Sequence, residues 1–255
     1  MSTEVDTGER DTAGGTGTRR LAVVLARHHA ATGAPPGIDP GAFAAACLTD
    51  SYEVVAGLTD VQSGIAGPAK AGELLWPTDR LWPADIALPD LAAEVSGEID
   101  ELVVVPADVP DLPALVLAKV FRALQRADIV IAPERAGSGC VAIGVSVPLA
   151  TWIPSQLDLD SNPITKLQAA APRRNRFAVA PEWHRLRTPT AVERLDPGLE
   201  GWDETRALLS GLPLRTQDRS LVAVPPQPTT RRLDQRGDRL VDLRKLIMVE
   251  PLHVR

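Results

Sequence analysis

Two periods organise the apolar positions of this chain. Short unbroken runs recur at Leu21 to Ala26 (L-A-V-V-L-A), Leu102 to Val105 (L-V-V-V), Asp128 to Ala132 (D-I-V-I-A) and Cys140 to Val147, with a weaker one at Val61 to Ala66 interrupted by Gly64. Runs without polar alternation fit strands covered on both faces, as in the middle of a parallel sheet. Between them lie stretches of helical period. Asp39-Pro40 supplies an N-cap and a proline at the first helical position, and Ala44, Cys47, Leu48, Ser51, Val55 and Leu58 then form one stripe. A second stripe runs through Leu112, Val116, Lys119, Val120 and Leu124, with Asp111 placed to cap it, and Leu91 to Ile99 reads as a shorter helix. Gly67 to Asp90, with Trp76-Pro77 and Trp82-Pro83, reads as an irregular excursion in which the tryptophans line a pocket or seal the sheet edge. The alternation predicts an α/β protein, a three-layer α/β/α sandwich on a mainly parallel central sheet.

The ends differ from the middle. Residues 1–20 are polar and Gly/Thr-rich and are expected to be a disordered lead-in. The α/β domain is expected over 21–212. Residues 213–255 form an extension in which Leu221 to Val224 and Leu240 to Val249 flank P-P-Q-P-T-T-R-R; an edge strand or a homodimer contact is the expected use.

Composition narrows the class. A formal charge of −6 over 255 residues favours neither nucleic acid nor an anionic membrane. No apolar run approaches the roughly twenty residues that span a bilayer, and the segment at Leu21 to Ala26 is too short for a signal core. Cys47 and Cys140 lack metal-type spacing, and Cys47 lies on the first helical stripe, so both are expected as free thiols in a soluble cytoplasmic protein. With 23 prolines and 19 glycines the loops should be long, and the candidate chemistry sits in them.

Pro106 and Pro110 stop the central run and leave Asp108 at the carboxyl end of its strand, the edge where open α/β sheets bind ligands. A carboxylate there suits Mg²⁺ held against phosphate oxygens; the alternative is an aspartate that shapes the turn or caps a helix. The loop after the first strand carries Arg27, His28, His29 and Gly33, where backbone amides and basic groups would meet phosphate, although neither G-x-G-x-x-G nor G-x-x-x-x-G-K-[ST] occurs. Adjacent histidines in a loop are more often surface residues than ligands. The turn P-E-R-A-G-S-G, Pro133 to Gly139, between two strands offers Arg135, Gly137, Ser138 and Gly139 to a bound phosphate group, or is simply a turn. P-R-R-N-R at Pro172 to Arg176, with Arg185 and Arg187, is a basic cluster that either reaches an anionic substrate or is a solvated loop.

V-V-V-P-A-D-V-P at Val103 to Pro110, followed by a helix and by I-A-P-E-R-A-G-S-G-C-V-A-I at Ile131 to Ile143, resembles the guanylyltransferases that activate 2-phospholactate or phosphoenolpyruvate. A-C-L-T-D-S-Y-E-V-V-A-G-L at Ala46 to Leu58 is similar to a related glycosyltransferase-like family of the same, nucleotide-diphospho-sugar transferase-like fold. The resemblance spans about residues 20 to 210. It implies a Mg²⁺-dependent nucleotidyltransferase that moves a guanylyl group from GTP, or another nucleoside triphosphate, to a small anionic metabolite such as a phosphorylated acid. On that pattern Asp108 is the catalytic metal ligand, the acid lies near Gly137, Ser138 and Gly139, and the second metal ligand falls within Leu195 to Leu209, at Asp196, Glu200 or Asp203; Asp196 is taken here. The chain departs from the pattern in two places. Cys140 and Val141 stand where the family has T-N, and the first loop lacks the family's basic signature. Those departures carry the alternative, a catalytically degenerate member that binds without turnover.

Overall fold

A computed structural model of the chain describes residues 17–135 and 137–211, except for the side chains of residues 28–30. The expected extension at 213–255, its homodimer contact, residues 1–16 of the lead-in and the side chains of His28 and His29 lie outside the described residues.

The apolar runs become one seven-stranded sheet. Its strands are β1 (Arg20–Leu25), β2 (Gln62–Ala66), β3 (Arg80–Trp82), β4 (Glu101–Pro106), β5 (Ile129–Pro133), β6 (Cys140–Ser146) and β7 (Phe177–Val179), in the spatial order β3-β2-β1-β4-β6-β5-β7. Every pairing is parallel except those of β6, which runs against both β4 and β5. The sheet is therefore mainly parallel, as the runs predict, with one reversed strand.

Helices α1 (Pro40–Ala56) and α3 (Ala114–Leu124) cover one face, and α2 (Leu88–Glu94) and α4 (Ile164–Ala170) the other. The runs lack polar alternation because both faces are buried: Val103 and Val105 meet α1 and α3, while Leu102 and Val104 face the other layer. Asp39 caps α1 as its sequence predicts, accepting a hydrogen bond from Ala42 N at 2.8 Å. The far side of α1, Phe43 and Cys47, packs under Leu186, Ala191, Leu195 and Trp202, which lead into α5 (Asp203–Leu209).

Three local expectations change. The stretch read as an irregular excursion contains edge strand β3, which Gly64 makes possible: a Cβ there would lie 2.5 Å from the Trp82 ring. The short helix begins at Leu88, on Pro89, three residues before the apolar period suggested. Asp111 does not cap α3, whose N-cap is Pro113 with no side-chain bond; it turns inward to Trp183 and His184. Among the described residues no helix is long and apolar enough to cross a membrane.

Candidate functional site

Strand order locates the crevice. From β1 the chain winds outward to β2 and β3, then returns to β4 on the other side of β1, so the carboxyl ends of β1 and β4 form the topological switch point. Arg27 follows β1 and Asp108 follows β4, and both line the same small cavity with Asp158, Asp160 and Arg185. Because β6 is antiparallel, the turn between β5 and β6 comes to this edge as well.

Asp108 is at the predicted edge, yet only 1% of it is exposed. Both of its oxygens accept from Arg185, Oδ1 from Nε at 2.7 Å and Oδ2 from Nη2 at 2.9 Å, a bidentate pair. The guanidinium itself is 3% exposed, and its Nη1 donates to Leu159 O at 2.9 Å and Cys140 O at 3.3 Å and lies 3.0 Å from Asp160 Oδ1. Burial works against its charge, but Asp108 first and then Asp160 and Glu134 outweigh that and raise its pKa. The cavity beside Asp108 holds about 10 Å³, the room of one water.

The glycine-rich turn is also satisfied from within. Gly139 N donates to Glu134 Oε2 at 3.3 Å, and a Cβ on Gly137 would fall 2.1 Å from that same carboxylate. The close backbone approach read from the glycines is real, and the group approached is the chain's own Glu134. Arg187 Nε lies 3.7 Å from Glu134, and its Nη2 bonds Asp160 at 2.5 Å, where a Cβ on Gly139 would collide with it.

Both ion pairs come from one segment, Trp183 to Arg187, which continues the line of β7 across the crevice. Trp183 pairs with Glu134 as an isolated bridge, Trp183 Nε1 donates to Asp111 Oδ1 at 3.2 Å, and Leu186 N donates to Asp108 O at 2.8 Å. Arg185 and Arg187 are thus not a solvated loop: Arg185 is buried and Arg187 partly so. The rest of the basic cluster does lie at the surface, with Arg176 paired to Asp128.

The remaining candidates are dispersed. Gly33 is buried in a turn of 3₁₀ helix (His28–Gly33), so close to the Trp183 to Arg187 segment, a strap over the crevice, that a Cβ would lie 1.8 Å from Leu186 O. Arg135 is exposed, paired with Glu182 at 3.1 Å and lying over the Trp183 ring, and Ser138 is exposed. Asp196 is exposed, accepts from Gly198 N at 2.8 Å within its own turn, and does not line the Asp108 cavity. Among the described residues no group of three or more His, Cys, Asp or Glu side chains could hold a metal ion. Cys140 is buried, its thiol donates to Ser161 O at 3.3 Å, and burial pushes its pKa up to about 12, so it is no nucleophile.

Arg27 is different. Its contacts are long, 3.4 Å to Asp158 Oδ1 and 3.4 Å to Ile86 O, and its Nε has no partner among the described residues. It separates two clefts. One of about 790 Å³ is lined by Asp85, Ala87, Ser155, Gln156 and Asp158; the other, of about 630 Å³, lies between α1 and residues 68–74 and is walled largely by alanines, with Lys70, Glu73 and Thr49 beside them. Sequence inspection missed Asp158, Asp160 and Glu134; the D-L-D spacing at 158–160, which puts two carboxylates on one side of an extended segment, was the available signal.

Comparison with known proteins agrees on architecture. A candidate nucleotide-diphospho-sugar transferase from Desulfovibrio desulfuricans G20 superposes with a TM-score of 0.57 at 18% identity, over 76% of this chain and 95% of that one. A cytidylyltransferase from Leptospira borgpetersenii serovar Hardjo-bovis gives 0.43 at 10% identity, over 76% and 95%. Rv0371C of Mycobacterium tuberculosis H37Rv, solved in complex with manganese, gives 0.42 at 17%, over 76% and 100%. No protein-family model matches the chain, and no curated protein matches it. The fold is that of the nucleotide-diphospho-sugar transferases.

Proposed function

We propose that this chain binds a nucleotide or a small phosphorylated metabolite in the switch-point crevice, with the phosphates on Arg27, and that it is a binding member of its fold without turnover. The observation that carries this reading is the bidentate Asp108–Arg185 pair, which occupies the one carboxylate that sequence nominated for catalysis. A buried aspartate whose two oxygens both bond one guanidinium, with room beside it for a single water, is poorly placed to hold a hydrated cation against phosphate. The other half of the crevice supports binding, since Arg27 is loosely held between two clefts large enough for a nucleoside and its phosphates.

Magnesium-dependent guanylyl transfer from GTP to a phosphorylated acid is the competing reading. The position of Asp108 at the switch point favours it, although Arg185 would have to leave Asp108 as the metal enters. A thermal-shift series with GTP, ATP, CTP and UDP-sugars separates the two, as a ligand of the native state raises Tm by mass action. The binding reading expects a shift that is equal in EDTA and in Mg²⁺, is lost in Arg27→Ala, and comes with no pyrophosphate release. A shift seen only with Mg²⁺, accompanied by turnover, establishes transfer instead; no shift with any of them overturns both.

A further inference from the structure

Five oxygens converge on one guanidinium: Asp108 Oδ1 and Oδ2, Asp160 Oδ1, and the carbonyls of Cys140 and Leu159, all between 2.7 and 3.3 Å from Arg185 nitrogens. Carboxylates and carbonyls are the hard donors that Mg²⁺, Mn²⁺ and Ca²⁺ take, and they are drawn here from three separate segments of chain. We propose that Arg185 is the resident cation of this crevice, occupying an oxygen shell that would otherwise accept a divalent metal, so that Asp108 binds none while Arg185 is in place.

The geometry explains why the exchange is unfavourable. A metal must displace a bidentate pair that is almost wholly buried, and the adjoining cavity has room for one water, whereas Mg²⁺ and its relatives keep several. The backbone that carries Arg185 is fixed on both sides: His184 is buried against Asp111, and Leu186 packs against α1 with its N–H on Asp108 O. The local charge is also already close to balance, with Arg27, Arg185 and Arg187 set against Asp108, Asp158, Asp160 and Glu134.

This inference deepens the metal-free binding reading of the same crevice and rests on it. It is tested without nucleotide, so that its failure and the failure of nucleotide binding are read separately. Mn²⁺ is titrated into the full chain and followed by water-proton relaxation, comparing the wild type with Asp108→Asn/Arg185→Gln, in which both buried charges are removed together and polar side chains kept. Equal, weak Mn²⁺ uptake by the two is expected; uptake at least tenfold tighter in the wild type overturns the proposal. The complementary variant is Arg185→Ser, which vacates the shell and leaves Asp108 and Asp160. A folded Arg185→Ser chain, judged by near-ultraviolet circular dichroism, is expected to bind Mn²⁺ at least tenfold more tightly than the wild type. If it is unfolded alone, millimolar Mn²⁺ is expected to restore the fold. Binding no tighter than the wild type, or a chain that stays unfolded with Mn²⁺, overturns the latent shell.

Discussion

The two halves of the crevice are built from the same chemistry and end in opposite states. On the β4 and β6 side, the carboxylates have found partners within the chain: Asp108 on Arg185, Glu134 on the amide of Gly139, Asp160 on Arg187. On the β1 side, Arg27 has, among the described residues, only contacts of 3.4 Å and an unpartnered Nε, with open space to either side. The difference arises from the strap. Residues 183–187 follow β7 past the carboxyl end of β5, the amino end of β6 and the carboxyl end of β4, and the guanidiniums they deliver pair with carboxylates on that half. Being at a sheet edge that binds ligands is thus not enough for a carboxylate to be available to one.

Breaking the closed half should have the largest effect. Arg185→Ala leaves Asp108 buried and unpaired, which costs about 3–5 kcal/mol in urea unfolding. Asp108→Asn/Arg185→Gln, losing both charges together, should recover most of that, and equal losses in the two variants would mean that side-chain packing, and not the ion pair, is what matters.

A second buried carboxylate sharpens the contrast. Asp50, fully buried on α1, has no guanidinium partner among the described residues; it accepts from Glu204 N at 3.0 Å and Thr205 N at 2.8 Å at the start of α5. Burial pushes its pKa up to about 7, with the hydrogen bonds from Thr205 and Glu204 opposing. The folded state therefore holds a proton that the unfolded chain has released, so this contribution is complete below the ordinary carboxylate range and is lost as pH rises through about 7. Linkage sets its size at no more than about 4 kcal/mol. Tm followed from pH 4 to 8, on that same linkage, should fall by more in the wild type than in Asp50→Asn, where the slope from this group vanishes; parallel curves would remove Asp50 as the cause.

Smaller effects test the seam between the halves. Gly33→Ala forces a Cβ against the Leu186 carbonyl and should cost about 1–3 kcal/mol by overpacking, read as a drop in Tm, and should increase proteolysis of the strap. Arg27→Ala should change stability by no more than about 0.5 kcal/mol, because its one ion pair is long and part-exposed, while removing the nucleotide-induced rise in Tm. A stability loss comparable to that of Arg185→Ala would mean that the β1 half is as tightly held as the other.

Much of the architecture was legible along the chain, for identifiable reasons. The runs at β1 and β4 declared a two-sided sheet because every position in them is apolar, and Asp39-Pro40 declared the start of α1 because its capping bond closes within three residues. The prolines at 106 and 110 put Asp108 on the carboxyl edge. The site was less legible. Edge strand β3 is three residues long, too short to show a period, and Asp111 followed the sequence rule for a helix cap until a tryptophan and a histidine 72 and 73 residues further on claimed it.

Sequence alone determined the segments that became β1, β2, β4, β5 and β6 and helices α1, α2 and α3, and which edge of the sheet would carry Asp108, because those properties depend on neighbours within a few residues. Only the tertiary structure decided that β6 would run backwards, that the glycine turn would close on Glu134, and that Asp108 would meet Arg185, 77 residues away. The physical reason is that a carboxylate's local sequence sets where it stands, but whichever cation the rest of the chain brings within hydrogen-bonding reach sets what it is free to bind.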